Sequence, residues 1–107
     1  MSRFFDIFVN GELHRYLEDD LPLIIGTDRE AHVRLVEGRS VEAFIGLHQG
    51  GYLFLQPEIG SNTVFHNDQL IQNSVWIKSG DRTRIGDWVL QYRISGDRVD
   101  ITLAEYT

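Results

Sequence analysis

The side chains able to do chemistry are scattered along this chain. Four histidines, His14, His32, His48 and His66, lie sixteen to eighteen residues apart. No two of them sit at i, i+2 on a strand or i, i+4 on a helix, the spacings that would bring two imidazoles to one metal. They read as surface or hairpin histidines. No serine occupies a Gly-x-Ser-x-Gly elbow, and no Gly-x-x-x-x-Gly-Lys loop is present to cradle a phosphate. The absence of cysteine rules out a disulfide, a thiolate metal site and a thiol nucleophile. The carboxylates fall mostly at turns, where Asp caps the backbone. No catalytic set, metal site or cofactor follows from these residues, and the expectation is a protein that is not an enzyme. Nine of the ten cations are arginine, with Lys78 the exception. A planar guanidinium suits bidentate anion recognition, but many of these arginines alternate with apolar residues and read as outward positions on strands.

The elements that would position these residues are short and extended. With 107 residues the chain suits one domain that buries roughly two-thirds of its unfolded surface. Alternating apolar or β-branched runs bounded by Gly, Asn and Asp predict eleven strands. They are 4–9, 12–17, 21–26, 32–36, 42–48, 52–56, 63–66, 74–77, 82–85, 88–94 and 98–104. Asn10-Gly11 is a two-residue hairpin signal because both residues tolerate positive φ. Gly50-Gly51 marks a second hairpin, and Gly80-Asp81 and Gly86-Asp87 mark two more tight turns. Residues 13–21 also fit a helical stripe, but Asp19-Asp20 and Pro22 break it, which favours a strand. Trp76 and Trp88 read as core or strand-face aromatics. The pattern predicts an all-β, antiparallel β-sandwich or barrel as a single domain over 1–107. A net charge of −6 argues against a nucleic-acid partner. Asp6 interrupts any signal-peptide core, and no apolar run approaches the ~20 residues that span a bilayer. No membrane insertion of this segment is expected, and the lack of cysteine fits a reducing compartment.

Four segments, taken in order, carry a more specific pattern. They are Leu23-Ile24-Ile25-Gly26, then Gly50-Gly51-Tyr52-Leu53-Phe54-Leu55, then Gly60-Ser61-Asn62-Thr63-Val64-Phe65-His66-Asn67-Asp68. The fourth is Ile77-Lys78-Ser79-Gly80-Asp81-Arg82-Thr83-Arg84-Ile85-Gly86. Their order and spacing resemble the forkhead-associated (FHA) domain over nearly the whole chain. The resemblance implies an eleven-stranded β-sandwich that binds phosphothreonine peptides through loops at one end. In that family the site is formed by an Arg after the first Gly, the Ser of a Ser-x-x-His pattern and the first Asn of an Asn-Gly loop. Here the Arg position is Thr27, with Arg29 two residues on. The Ser-x-x-His stretch falls on Arg39-Ser40-Val41-Glu42, so Arg39 stands for Ser and Glu42 for His, and a one-residue slip brings in Ser40. Asn62 matches the first Asn, Thr63 replaces the glycine after it, and Asn67 matches the second Asn. Thr83 replaces an apolar residue of the family's late segment.

These departures bear on chemistry. A phosphothreonine brings roughly −1.5 to −2 charges and three strong acceptors, and a bidentate Arg-phosphate pair is among the strongest polar contacts. Thr27 offers one hydroxyl and no charge, a loss on the order of 1.5–3 kcal/mol. Arg39 or Arg29 would have to compensate, and Glu42 would oppose them if its carboxylate faced the pocket. The expectation is a degenerate FHA-like module for non-catalytic protein–protein interaction that does not depend on phosphothreonine, within a larger bacterial-type signalling or assembly protein, and the resemblance implies a cytoplasmic setting. The alternative is a phosphothreonine reader with a pocket rebuilt from Arg39, Ser40 and Asn62.

Overall fold

Alternation along most runs, clearest in residues 52–57, 82–85 and 98–103, sets which side chains face inward, and two such faces meet in the core. The structure, a computed structural model, describes residues 2–106. The strands are β1 (Phe4–Val9), β2 (Glu12–Leu17), β3 (Leu23–Gly26), β4 (Val33–Arg34), β5 (Ala43–His48) and β6 (Tyr52–Pro57). There follow β7 (Val64–His66), β8 (Gln69–Leu70), β9 (Val75–Trp76), β10 (Arg82–Ile85), β11 (Trp88–Ser95) and β12 (Arg98–Glu105). A seven-stranded sheet in the order β2-β1-β12-β11-β10-β7-β8 packs on a five-stranded sheet in the order β4-β3-β5-β6-β9. Pairing is antiparallel except for β1 with β12 and β3 with β4.

The described residues form twelve strands where eleven were expected. The addition, β8, is two exposed residues long, too short for alternation to show. It exists because Asn67 (φ 49°) and Asp68 (φ 71°) both adopt the left-handed conformation, which makes a two-residue turn between His66 and its partner Gln69. Asn10 (φ 51°) and Gly11 (φ 79°) make the same turn between β1 and β2, as predicted. Residues 12–17 are strand, but Glu18–Asp20 form a single 3-10 turn that the sequence reading passed over. The turn is fixed by the Asp20 carboxylate, which accepts from the Leu17 N–H at 2.8 Å. β3, β4 and β9 are shorter than predicted.

Phe5, Ile7, Leu23, Ile25, Ile45, Leu55, Leu90 and Ile101 are fully buried between the sheets. Each contributes about 1.5–3 kcal/mol of burial free energy. Outward residues of the same strands, such as Arg82, Gln91, Arg93, Arg98 and Thr102, are exposed. No helix among the described residues is long and apolar enough to cross a membrane.

Candidate functional site

The resemblance places the site in three loops, and these meet at one end of the sandwich. Residues 27–32 leave β3, residues 35–42 lead into β5, and residues 58–63 lead into β7. The first two are locked together by backbone. Thr27 N–H donates to the Arg39 carbonyl at 3.1 Å, and Asp28 N–H donates to the Ser40 carbonyl at 3.1 Å. This close approach explains Gly26. A Cβ there would lie 2.1 Å from the Ser40 carbonyl oxygen and 2.9 Å from the Val41 Cα, both backbone atoms that cannot swing aside.

Glu42 joins the second loop to the third. It is only 2% exposed. One carboxylate oxygen accepts from the Arg39 N–H at 3.0 Å, and the other accepts from the Thr63 hydroxyl at 2.8 Å. Its own backbone N–H donates to Ile25 and its carbonyl accepts from Glu58. The carboxylate therefore holds the loops from inside, at the position where the family pattern has a histidine. The sequence raised Glu42 only as a possible opponent of phosphate; nothing in the one-dimensional pattern pointed to it as a tie between loops. Beside it lies a cavity of about 190 Å³ whose lining includes Glu37, Glu42, Asp87, Thr63 and Trp88, and no cation.

The other candidates divide. Thr27 is half-buried, and its hydroxyl donates to the Arg39 carbonyl at 3.1 Å, so its proton points into the loop contact. Arg39 and Ser40 are exposed at this end, and Arg39 has no ion-pair partner among the described residues. Asn62 is exposed next to Thr63. Arg29 is exposed on a turn made by Asp28, whose side chain accepts from the Glu30 N–H at 2.9 Å. Asn67 is set apart from the rest. It lies beyond the far end of β7, roughly 10 Å from Val64 at 3.3 Å per residue. Its amide donates to Asp81 at 3.1 Å and its carbonyl accepts from the Arg82 N–H at 2.9 Å. The structure thus brings together Thr27, Arg39, Ser40 and the Asn62-Thr63 pair, and leaves Asn67 holding a turn.

A second polar cluster corrects the reading of the histidines. His66 is 7% exposed, not a surface residue. Its Nε2–H donates to Asp81 at 3.0 Å and its Nδ1 lies 2.9 Å from the Thr83 hydroxyl. That hydroxyl is 2.7 Å from the hydroxyl of Tyr92. With Asp81 ionised, the consistent pattern runs Tyr92 O–H to Thr83, Thr83 O–H to His66 and His66 N–H to Asp81. Burial pushes the Tyr92 hydroxyl far above its ordinary pKa. Thr83 thus sits in an apolar position of the family pattern because two neighbours supply it with partners. The signal was not readable locally: the partners lie nine and seventeen residues away along the chain.

With this geometry in place, the fold is that of the forkhead-associated domain. A solved structure described as "Rv0020c_FHA Structure" matches it with a TM-score of 0.56 over 96% of this chain and 90% of its own, at 17% identity. No protein-family model matches the chain, and no curated protein matches it.

Proposed function

We propose that the chain is a non-catalytic protein-interaction module whose recognition does not depend on phosphothreonine. The observation that carries this reading is Glu42, a buried carboxylate placed among the three loops and bonded to Arg39 and Thr63. A phosphate brought to these loops would meet that negative charge and the Glu37 and Asp87 carboxylates of the adjoining cavity. Thr27 gives it no compensating cation. The loops are nonetheless rigidly tied, which suits a surface that reads the shape of a folded partner. The setting that fits is the cytoplasm, as part of a larger signalling or assembly protein.

One observation favours the rebuilt-pocket reading: the Arg39 guanidinium is exposed at the right end, with no ion pair among the described residues. The test is binding of a degenerate phosphothreonine peptide library against its unphosphorylated counterpart, with Arg39→Ala alongside. The expected result is no selectivity at high micromolar concentration. Selective capture of the phosphorylated pool, lost in Arg39→Ala, would replace the proposal with a phosphopeptide reader.

A further inference from the structure

The outer face of the seven-stranded sheet has a charge unlike that of the rest of the chain. Its outward positions carry Arg15 on β2, Arg82 and Arg84 on β10, Arg93 on β11 and Arg98 on β12. Among these outward strand positions only Asp6 and Asp100 carry the opposite charge, a sum of +3 on a chain whose total is −6, while Asp68 and Asp81 lie at the turns that border the face. Arg15 and Arg98 are occupied by those two aspartates, at 2.7 Å to Asp6 and 2.7 Å to Asp100 respectively. The other three are not matched this way. Arg93 has no ion pair among the described residues, and Arg82 reaches only the exposed Asp68 at 3.6 Å. Arg84 lies over the rings of Phe65 and Tyr106, at 4.6 and 5.0 Å, with no carboxylate partner among the described residues.

The register puts these three in a row. Arg84 and Arg82 are two residues apart on β10, about 6.8 Å along the strand. Gln91 is the cross-strand partner of Arg82, and Val89 that of Arg84. Arg93 therefore continues the row by one further step of about 6.8 Å, displaced sideways by one strand. Beside it Gly80 and Asp81 both oppose Tyr92, the Gly80 N–H donating to the Tyr92 carbonyl at 2.8 Å and the Tyr92 N–H to the Asp81 carbonyl at 3.1 Å, and Gly80 has open space where a Cβ would stand. There a groove of about 300 Å³ opens, lined among others by Phe8, Arg82, Gln91, Arg93 and Thr102. Asp81 and Asp100 also border it: Asp100 is paired with Arg98, and Asp81, which keeps its charge, accepts from His66, Asn67 and the Lys78 N–H.

We infer that this face docks an extended, acidic protein segment with carboxylates at every second residue. Side chains on one side of an extended chain recur about every 6.8 Å, the spacing of the arginine row. Each carboxylate would face one guanidinium, and the residues between them would point away from the sheet. This surface is separate from the loop end, so the inference stands whether or not the loops read a partner.

The test is fluorescence anisotropy with a labelled Glu-Val-Glu-Val-Glu-Val-Glu peptide. Three other probes accompany it: its Gln-for-Glu counterpart, an isomer with the four Glu contiguous, and a single-stranded DNA oligonucleotide. The alternating peptide should bind, its isomer about tenfold more weakly, and the Gln peptide and DNA not detectably. The Arg82→Gln/Arg93→Gln double variant should weaken binding at least about tenfold, and Arg84→Gln should weaken it separately. Arg39→Ala should leave it unchanged. Raising salt from about 50 to about 500 mM should weaken binding further. Equal binding of the isomer, or tighter binding of DNA, would overturn the inference. So would wild-type affinity in a double variant with an unchanged circular dichroism spectrum, or loss of binding in Arg39→Ala alone.

Discussion

The outward positions of β5, β6 and β9 hold Phe44, His48, Tyr52, Phe54, Gln56 and Trp76, and those three strands contain no Asp, Glu, Lys or Arg. Trp76 sits edge-on to His48 at 5.5 Å and near Tyr52 at 5.8 Å, while Tyr52 and Trp76 remain 65% and 52% exposed. Across the sandwich, the outward positions of β1, β10, β11 and β12 hold arginines and aspartates. Both sheets follow the same rule inward, where Ile45 and Leu55 meet Ile7, Leu90 and Ile101 in one core. Folding constrains the inner faces and leaves the outer faces free to differ. The difference between the two outer faces is therefore where interaction chemistry shows most plainly.

The aromatic face is bounded at one end by Gly26, which points outward on β3 but is buried under the backbone of Ser40 and Val41. The largest effect on the comparison should come from Gly26→Ala. The added methyl meets backbone 2.1 Å away, so either β3 or the 35–42 loop must shift. The cost should be at least about 3 kcal/mol in chemical denaturation. Wild-type stability in this variant would mean the loop is not seated on the sheet as described. A smaller effect is expected on the arginine side, directly beneath Arg82 and Arg84. Thr83→Val keeps the shape but strips the hydroxyl between His66 and Tyr92. Leaving those buried groups unpaired should cost about 1–3 kcal/mol. Adding Tyr92→Phe should recover part of the loss, because one orphaned group goes with it. Independent, additive losses in the double variant would show that the three side chains do not act as one network.

Much of this architecture was legible in the sequence, because period-two alternation reports directly which face of a strand is buried. Eleven of the twelve strands, the Asn10-Gly11 hairpin and the Gly80 and Gly86 turns were read that way. β8 and the 18–20 turn were not, because elements of two or three residues carry no period. The loop cluster was legible only through resemblance, which located Thr27, Arg39, Ser40 and Asn62 together. The role of Glu42 was hidden because its partner Thr63 lies twenty-one residues away. The same holds for the arginine row. Alternation shows that Arg82, Arg84 and Arg93 face outward, but only the β10–β11 register shows that they line up.

The smallest and most local effect separates the two faces by pH. Two carboxyls on or bordering the arginine sheet titrate below the ordinary carboxylate value, and the aromatic face has none. The bidentate bond from Arg15 to Asp6 lowers that carboxyl; burial opposes it, and the charges of Arg15 and Arg98 add to it. Burial alone would raise Asp81, but the Lys78 N–H, the Asn67 amide and His66 together bring it below its usual value. A carboxyl with a lowered folded pKa stabilises the fold fully above its unfolded value of about 4. That stability is lost as pH falls through the folded value. Amide exchange should accordingly show β1, β2 and β12 losing protection as pH drops below about 4, ahead of β5 and β6. Asp6→Asn should abolish most of that difference, since the replacement cannot titrate. If β5 and β6 open first, or both sheets lose protection in step in wild type and variant alike, the charge network on β1, β2 and β12 does not set the acid limit of this fold.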